Sequence, residues 1–329
     1  MNFGLHLSFR NPPAWYKPFP RLYGEYLEWI AYAEELGFNS VWISEHHFTE
    51  DGYSPSFFPL ATAIAMRTKR MRIGSYVLLL PLHHAVQAAE DAAVLDNLSN
   101  GRLILGLGLG YAQHDYAGYG VDLKDRGSLG DEGVQVIRGA WTQEGFSFSG
   151  RHYHVQNIRL SPKPVQKPHP PIYMAGMTAV ALKRAARLGA DGLAGVTRDP
   201  QAFQVFVDAL KAQGKDARQV PAATLMFMYT GEDGEQAWRD IRPHAEWEYQ
   251  QYRSWGAMAN RGQELPRDYY IVGDPTYCIQ RIEERLAVNP LARIETMAVH
   301  LRFAGVDHKK VMRATEVFAK HVIPHFKNR

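Results

Sequence analysis

The chain has 329 residues, 46% of them hydrophobic and 22% charged, with a formal net charge of +3, a composition ordinary for a soluble globular protein. The single cysteine, Cys278, excludes an internal disulfide framework and any multi-cysteine metal site, and fits a reducing, cytoplasmic setting. No run of five like charges, no apolar stretch near the roughly 20 residues a bilayer requires and no basic start with a long apolar core occurs, so nucleic acid, membrane and signal-peptide readings are not indicated.

In chain order, short apolar runs alternate with longer amphipathic ones. Asn2–Ser8 predicts a strand, and Arg21–Leu36 a helix, with Leu22, Tyr26, Trp29, Ile30 and Ala33 at helical spacing and Gly37 as its stop. Asn39–Ser44 predicts the second strand, Phe57–Thr68 a helix, and Met71–Leu80 the third strand, ended by Pro81. Ala85–Leu98 is helical and Arg102–Gly108 is the fourth strand. A longer connection holds a helix at Asp131–Trp141 and a hairpin around Phe146–Val155. Then come strand Pro171–Ala175, helix Ala179–Leu188, strand Asp191–Val196, helix Gln201–Gln213 and strand Ala222–Thr230. An aromatic-rich insertion at about 232–271 precedes helix Thr276–Val288, strand Ile294–Phe303 and helix His308–His321. Eight strands each followed by a helix imply parallel pairing with right-handed crossovers. The fold expected is a closed (β/α)8 TIM barrel, one domain over residues 1–329, with an open doubly wound sheet as the alternative.

In such a barrel the chemistry sits where the strands end at their C-termini. After the second strand stands Glu45-His46-His47-Phe48, where a histidine that titrates near neutral pH can move a proton. Neighbouring histidines point apart and no HxxxH helix completes a ligand set, so no metal site is expected. After the fourth strand, Gly106-Leu107-Gly108-Leu109-Gly110-Tyr111 lets another group approach the backbone closely, although tight packing of the strand is an equal reading. After the fifth, Gly176-Met177-Thr178 leaves helical N–H groups open toward a phosphate, while Thr178 also suits a plain N-cap.

Several ordered segments resemble the bacterial luciferase-like monooxygenase family. They are Gly37-Phe38-Asn39-Ser40-Val41-Trp42 running into Glu45-His46-His47-Phe48; Gln87-Ala88-Ala89-Glu90-Asp91; Leu95-Asp96-Asn97-Leu98-Ser99-Asn100-Gly101-Arg102; Pro170-Pro171-Ile172-Tyr173-Met174-Ala175-Gly176; Ala185-Ala186-Arg187-Leu188-Gly189-Ala190-Asp191-Gly192; and Phe318-Ala319-Lys320-His321-Val322-Ile323-Pro324. The resemblance implies a flavin enzyme that uses reduced FMN, supplied by a separate flavin reductase, and O2 to oxygenate a small or medium organic substrate. An F420-dependent oxidoreductase and a non-catalytic flavin-binding protein are the alternatives.

Carried over residue by residue, the resemblance makes His46 the proton-transferring residue near the reactive flavin edge. It places a non-proline cis peptide in Ser75-Tyr76-Val77 under the flavin ring, and the phosphate turn at Gly176, Met177 and Thr178. His47 and Glu90 match a pair that meets across a homodimer interface. Tyr76, Val77, Gly108 and Leu109 are the further cofactor-binding candidates. Where the luciferase branch has a phosphate-holding arginine after the fourth strand, this chain has Leu109, and Arg302 is the candidate to replace it. Phe9, Leu80 and Tyr111, with Trp15 and Tyr16 beside them, are the expected substrate-pocket residues. The insertion, with Trp238, Trp247, Tyr249, Tyr252, Trp255, Tyr269 and Tyr270, reads as a lid or as an extra helix packed on the barrel.

Overall fold

A computed structural model describes residues 1–257 and 262–327; residues 258–261 of the expected insertion, and 328–329, lie outside that description. Eight strands form the barrel: β1 (Asn2–Leu7), β2 (Ser40–Ile43), β3 (Arg72–Ser75), β4 (Leu103–Gly108), β5 (Ile172–Gly176), β6 (Gly192–Val196), β7 (Pro221–Thr230) and β8 (Arg293–His300). Each pairs in parallel with the next, and β8 closes on β1 through the register Asn2↔Thr296 to Leu5↔Val299. Strands β1 to β7 are buried almost end to end, as parallel strands covered on both faces must be, and β8 is buried over Met297–His300. The barrel is therefore closed, and the open-sheet alternative is excluded.

Helices α1 (Phe19–Glu35), α2 (Phe57–Arg67), α3 (Ala85–Leu98), α4 (Gln113–Tyr119), α5 (Arg126–Thr142), α6 (Ala179–Arg187), α7 (Pro200–Lys211), α8 (Gly234–Ser254), α9 (Pro275–Ala287) and α10 (His308–His321) surround it. The main apolar core lies between this layer and the strands. Inside the barrel, Trp42 and Tyr173 form a second cluster with Ile104, Ala194, Ala223 and Ala298. Their rings fit because glycine faces them. A Cβ on Gly74 would lie 2.5 Å from the Trp42 ring, and one on Gly192 would lie 2.3 Å from Tyr173.

The third predicted strand is broken. β3 stops at Ser75, the Tyr76–Val77 peptide is cis, and Leu78–Leu79 then resumes pairing with β4. The long β4–β5 connection holds two features absent from the sequence reading: the short helix α4, and a start of α5 at Arg126 rather than Asp131. The hairpin is present as Phe146–Ser149 against His154–Ile158. The described part of the insertion is mainly α8, with Ile271–Gly273 added in parallel to the end of β7.

Candidate active site

A cavity of about 1020 Å³ opens at the C-terminal ends of the strands. Its wall includes the cis pair Tyr76-Val77, Leu79, Leu80 and Leu107 on one side and Met174, Leu225 and Phe227 on another. Gly108 contributes no Cβ where one would lie 2.2 Å from Val77 Cγ2. This leaves a largely apolar slot with a bare backbone along one side, which suits a flat aromatic ring.

His46, the first residue carried forward from the sequence, lines this cavity. Its Nδ1 lies 2.9 Å from Asp115 Oδ2, and Asp115 Oδ1 accepts the His47 backbone N–H at 2.8 Å. With both oxygens of the buried Asp115 accepting, the His46 proton sits on Nδ1. Nε2 is then left toward the cavity, 3.3 Å from the Tyr111 hydroxyl. Tyr53 packs edge-on to the imidazole at 5.0 Å between ring centres, and Trp255 lies at 4.9 Å. Asp115 comes from α4, a helix that begins five residues after β4, so His46 and the carboxylate that orients it come from the rim loops after β2 and β4.

The opposite end of the cavity is basic. Lys124 reaches it from the turn before α5, Arg126 and Gly127 from the start of α5, and Thr178, Val180, Ala181 and Arg184 from the first turns of α6. Thr178 caps α6 by accepting the Ala181 N–H, and Asp131 fixes Arg184 through Nε at 2.8 Å. Two helix N-termini with three cations form a receptor for an anion.

Other sequence candidates divide as follows. Tyr76, Val77, Leu80, Gly108, Leu109, Tyr111, Met177 and Thr178 all line the cavity. Gly176 is buried at the end of β5, where a Cβ would lie 2.7 Å from the Gly195 carbonyl. Phe9 does not line it: its left-handed backbone (φ 53°) turns the ring outward, to stack on Tyr26 at 4.3 Å. Trp15 packs on His244 at 4.2 Å and Tyr16 is exposed, so neither is a cavity residue. Arg302 is likewise corrected, because Glu25 of α1 captures it at 2.9 Å and its guanidinium lies over the Tyr26 ring. The cavity-lining cations that sequence reasoning missed are Lys124, Arg126 and Arg184. They come from a connection read as mostly loop and from the second turn of α6.

His47 is buried, with Nε2 2.6 Å from Glu45 Oε1 and Nδ1 3.3 Å from the Tyr119 hydroxyl, whereas Glu90 is exposed on α3. Two trios, Glu45-His47-His83 and His46-His114-Asp115, gather potential ligand atoms within 4.8 Å. His83 completes the first from the loop after β3 and His114 the second from α4, positions that adjacency in sequence does not reveal. Helix α8 packs down on the rim. The Arg10 guanidinium, paired with Asp51, lies 4.5 to 5.2 Å from the rings of Trp247, Tyr252, Trp255 and Tyr53. The described part of the insertion thus packs a helix against the barrel rim. No helix of the described residues is long and apolar enough to cross a membrane.

Known proteins share this architecture. Monooxygenase RslO1 from Streptomyces bottropensis superposes with a TM-score of 0.86 at 25% identity, covering 99% of this chain and 100% of that one. The oxygenating constituent of 3,6-diketocamphane monooxygenase from Pseudomonas putida, a type II Baeyer-Villiger monooxygenase solved with FMN, gives 0.82 at 18% identity, covering 98% of each chain. In sequence, the F420-dependent glucose-6-phosphate dehydrogenase of Amycolatopsis mediterranei is 28% identical over 324 residues, 91% of this chain and 93% of that protein. The family profile described as luciferase-like monooxygenase matches residues 1–290, and the chain belongs to that family.

Proposed function

We propose that this protein is the oxygenase of a two-component flavin monooxygenase, which takes reduced FMN from a separate reductase and uses O2 to oxygenate a small or medium organic substrate. The observation that carries this reading is one cavity with the His46–Asp115 pair at one end and a cationic double helix terminus at the other. Between them lies the apolar slot beside Tyr76, Val77 and Gly108. Bound there, reduced FMN would supply the activation of O2. Lys124, Arg126, Arg184 and the α6 N-terminus would hold its phosphate, taking the place of the missing arginine at Leu109. Tyr76, Val77 and Gly108 would flank its ring.

His46 would hold or deliver a proton at Nε2, with Asp115 keeping the Nδ1–H tautomer and the ring orientation. Leu79, Leu80 and Phe227 would exclude water from the reacting centre. We further propose a homodimer that brings the exposed side of α3, including Glu90, toward a second copy. The full-length F420-dependent relative favours a second reading, in which the same slot takes F420 for hydride transfer without O2.

Anaerobic titration with reduced FMN and with F420, followed by turnover of an aldehyde and ketone panel with O2, separates the two. We expect tighter binding of reduced FMN. His46→Ala and Asp115→Asn should each lose about 100-fold or more in turnover with flavin affinity retained. Tight binding of F420 alone would overturn the oxygenase reading, as would a His46→Ala protein that turns over normally.

A further inference from the structure

A line of four buried polar side chains leaves the cavity in a direction that the His46–Asp115 pair does not use. Ser44, just after β2, and His6 on β1 line the cavity; His300 at the end of β8 and Glu248 on α8 lie behind them, both fully buried. Ser44 Oγ is 2.6 Å from His6 Nε2, and His6 Nδ1 is 2.9 Å from His300 Nδ1. His300 Nε2 is 3.2 Å from Glu248 Oε2.

The protons in this line can be counted from its cavity end. The Tyr76 carbonyl can only accept, so the Ser44 hydroxyl donates to it at 2.8 Å. Ser44 Oγ then accepts the His6 Nε2–H. With its proton on Nε2, His6 presents a lone pair at Nδ1, and the 2.9 Å contact must carry the Nδ1 proton of His300. That leaves His300 Nε2 facing Glu248 Oε2 at 3.2 Å but outside hydrogen-bond geometry, and among the described residues neither buried atom has a hydrogen-bond partner. Two lone pairs cannot meet there, so one more proton lies between them.

We propose that Ser44, His6, His300 and Glu248 form a reservoir that holds one exchangeable proton and opens into the cavity through the Ser44 hydroxyl. A basic atom of the cavity ligand, such as a developing oxyanion, takes the Ser44 proton. Ser44 Oγ takes the proton from His6 Nε2, His6 Nδ1 takes that from His300 Nδ1, and His300 Nε2 keeps the proton it shared with Glu248. The Ser44 O–H, His6 Nε2–H and His300 Nδ1–H bonds break. An O–H bond re-forms at Ser44, an N–H bond forms at His6 Nδ1 and the third proton bonds to the acceptor atom of the ligand; no electrons are transferred, the cavity ligand gains one proton and the line is left one proton short. The line ends with every donor reversed, Ser44 donating to His6, His6 to His300, and His300 to the Glu248 carboxylate. The return of a proton from the cavity restores the first state.

The surroundings suit a switchable wire. Burial and the neighbouring His300 hold His6 well below the ordinary histidine value, so the middle link is neutral and can both give and accept. Burial opposes ionisation of Glu248, but His300, Arg10 and the Ala304 N–H outweigh it and hold the carboxyl below its ordinary value. The other groups facing this end are Tyr26 of α1, Tyr53, His244 and Tyr252 of α8, and Tyr270. Around His300 the neighbours are the apolar rings of Phe227 and Phe303, at 5.1 and 4.9 Å.

The reservoir can be tested on the flavin-free protein; only its use in catalysis rests on the oxygenase reading. Histidines labelled with 15N, assigned through His6→Asn and His300→Asn, report which ring nitrogen carries each proton. Between about pH 5 and about pH 9, His6 of the wild type should switch from the Nε2–H to the Nδ1–H tautomer in one step as a proton leaves the line. Glu248→Gln should abolish that step. A wild-type His6 that keeps one tautomer throughout overturns the reservoir, and this measurement needs no variant to fold beyond those used for assignment. In turnover, Glu248→Gln should fall about tenfold or more at unchanged KM and flavin affinity. Normal turnover with the NMR step abolished overturns the catalytic use, while failure of the wild type to bind reduced FMN strikes the flavin reading alone.

Discussion

Glu45 is buried and receives three donors: His47 Nε2 at 2.6 Å, His83 Nε2 at 2.7 Å and the Leu79 N–H at 3.1 Å. Burial alone would raise its pKa, but the two imidazoles bring it from 4.5 down to about 2. Burial likewise opposes the charged form of His83, and Glu45 with Asp91 reverses this and raises it above 6.5. A carboxyl depressed on folding adds stability that is complete above 4.5 and is lost as the pH falls toward about 2. A raised imidazole adds stability that is complete below 6.5 and is lost as the pH rises through its folded value. The cluster therefore holds the loop after β2 most firmly between those two limits. Urea melts across the pH range should show the acid loss in the wild type and a flatter acid limb in Glu45→Gln, on a lower plateau. Parallel curves for the two proteins would show that Glu45 is not ionised by its histidines.

At the level of elements, β3 and β4 meet across an interrupted ladder. They pair at Ile73↔Leu103 and Gly74↔Ile104, and pairing resumes only at Leu78↔Leu107. Ser75 bridges the gap, its hydroxyl donating to the Gly106 carbonyl at 2.7 Å and accepting the Gly106 N–H at 2.9 Å. A Cβ on Gly106 would lie 2.0 Å from the Ser75 carbonyl oxygen, which is backbone and cannot step aside. On Gly108 it would meet the side chain of Val77, which can rotate into the cavity. Gly106→Ala should thus cost about 2–3 kcal/mol in unfolding free energy. Gly108→Ala should cost less than about 1 kcal/mol and lower flavin affinity instead. Denaturant melts paired with fluorescence titration separate these outcomes, and equal stability losses would contradict the argument.

The same elements explain what the sequence could and could not reveal. Alternating apolar runs made all eight strands and most helices readable, because each strand is buried on both faces and each flanking helix on one. Helix α4 has no such stripe: within Gln113–Tyr119 only Asp115 and Tyr116 are buried, and the helix stops at Gly120 in the left-handed region. With it went Asp115, the partner of His46. Arg302 and Phe9 were misread because tertiary contacts redirect them, through Glu25 for the one and a positive φ for the other. Composition and spacing carry no trace of either effect.

For the whole molecule, the exposed apolar side chains are not scattered evenly. Glu90, Val94 and Leu98 recur every four residues along the outer face of α3, and Val94 and Leu98 are 44% and 49% exposed. Met66 on the adjoining α2 is 68% exposed. Beside the active-site loop, Phe48 (64%) and Tyr119 (46%) pack together at 5.5 Å with their outer faces open. Clustered exposed apolar groups of this size mark association surfaces, and the proposed homodimer would cover those of α2 and α3. A negative charge buried against its own copy across a two-fold axis is strongly unfavourable, because an isologous interface brings the same patch to itself. The doubly substituted protein Val94→Glu, Leu98→Glu should therefore run at half the wild-type mass in light scattering. Its barrel should keep the native circular dichroism, since neither side chain contributes to the core. A wild type that is monomeric at micromolar concentration, or a substituted protein that remains a dimer, would remove α3 from the interface and with it the proposed approach of Glu90 to the second copy.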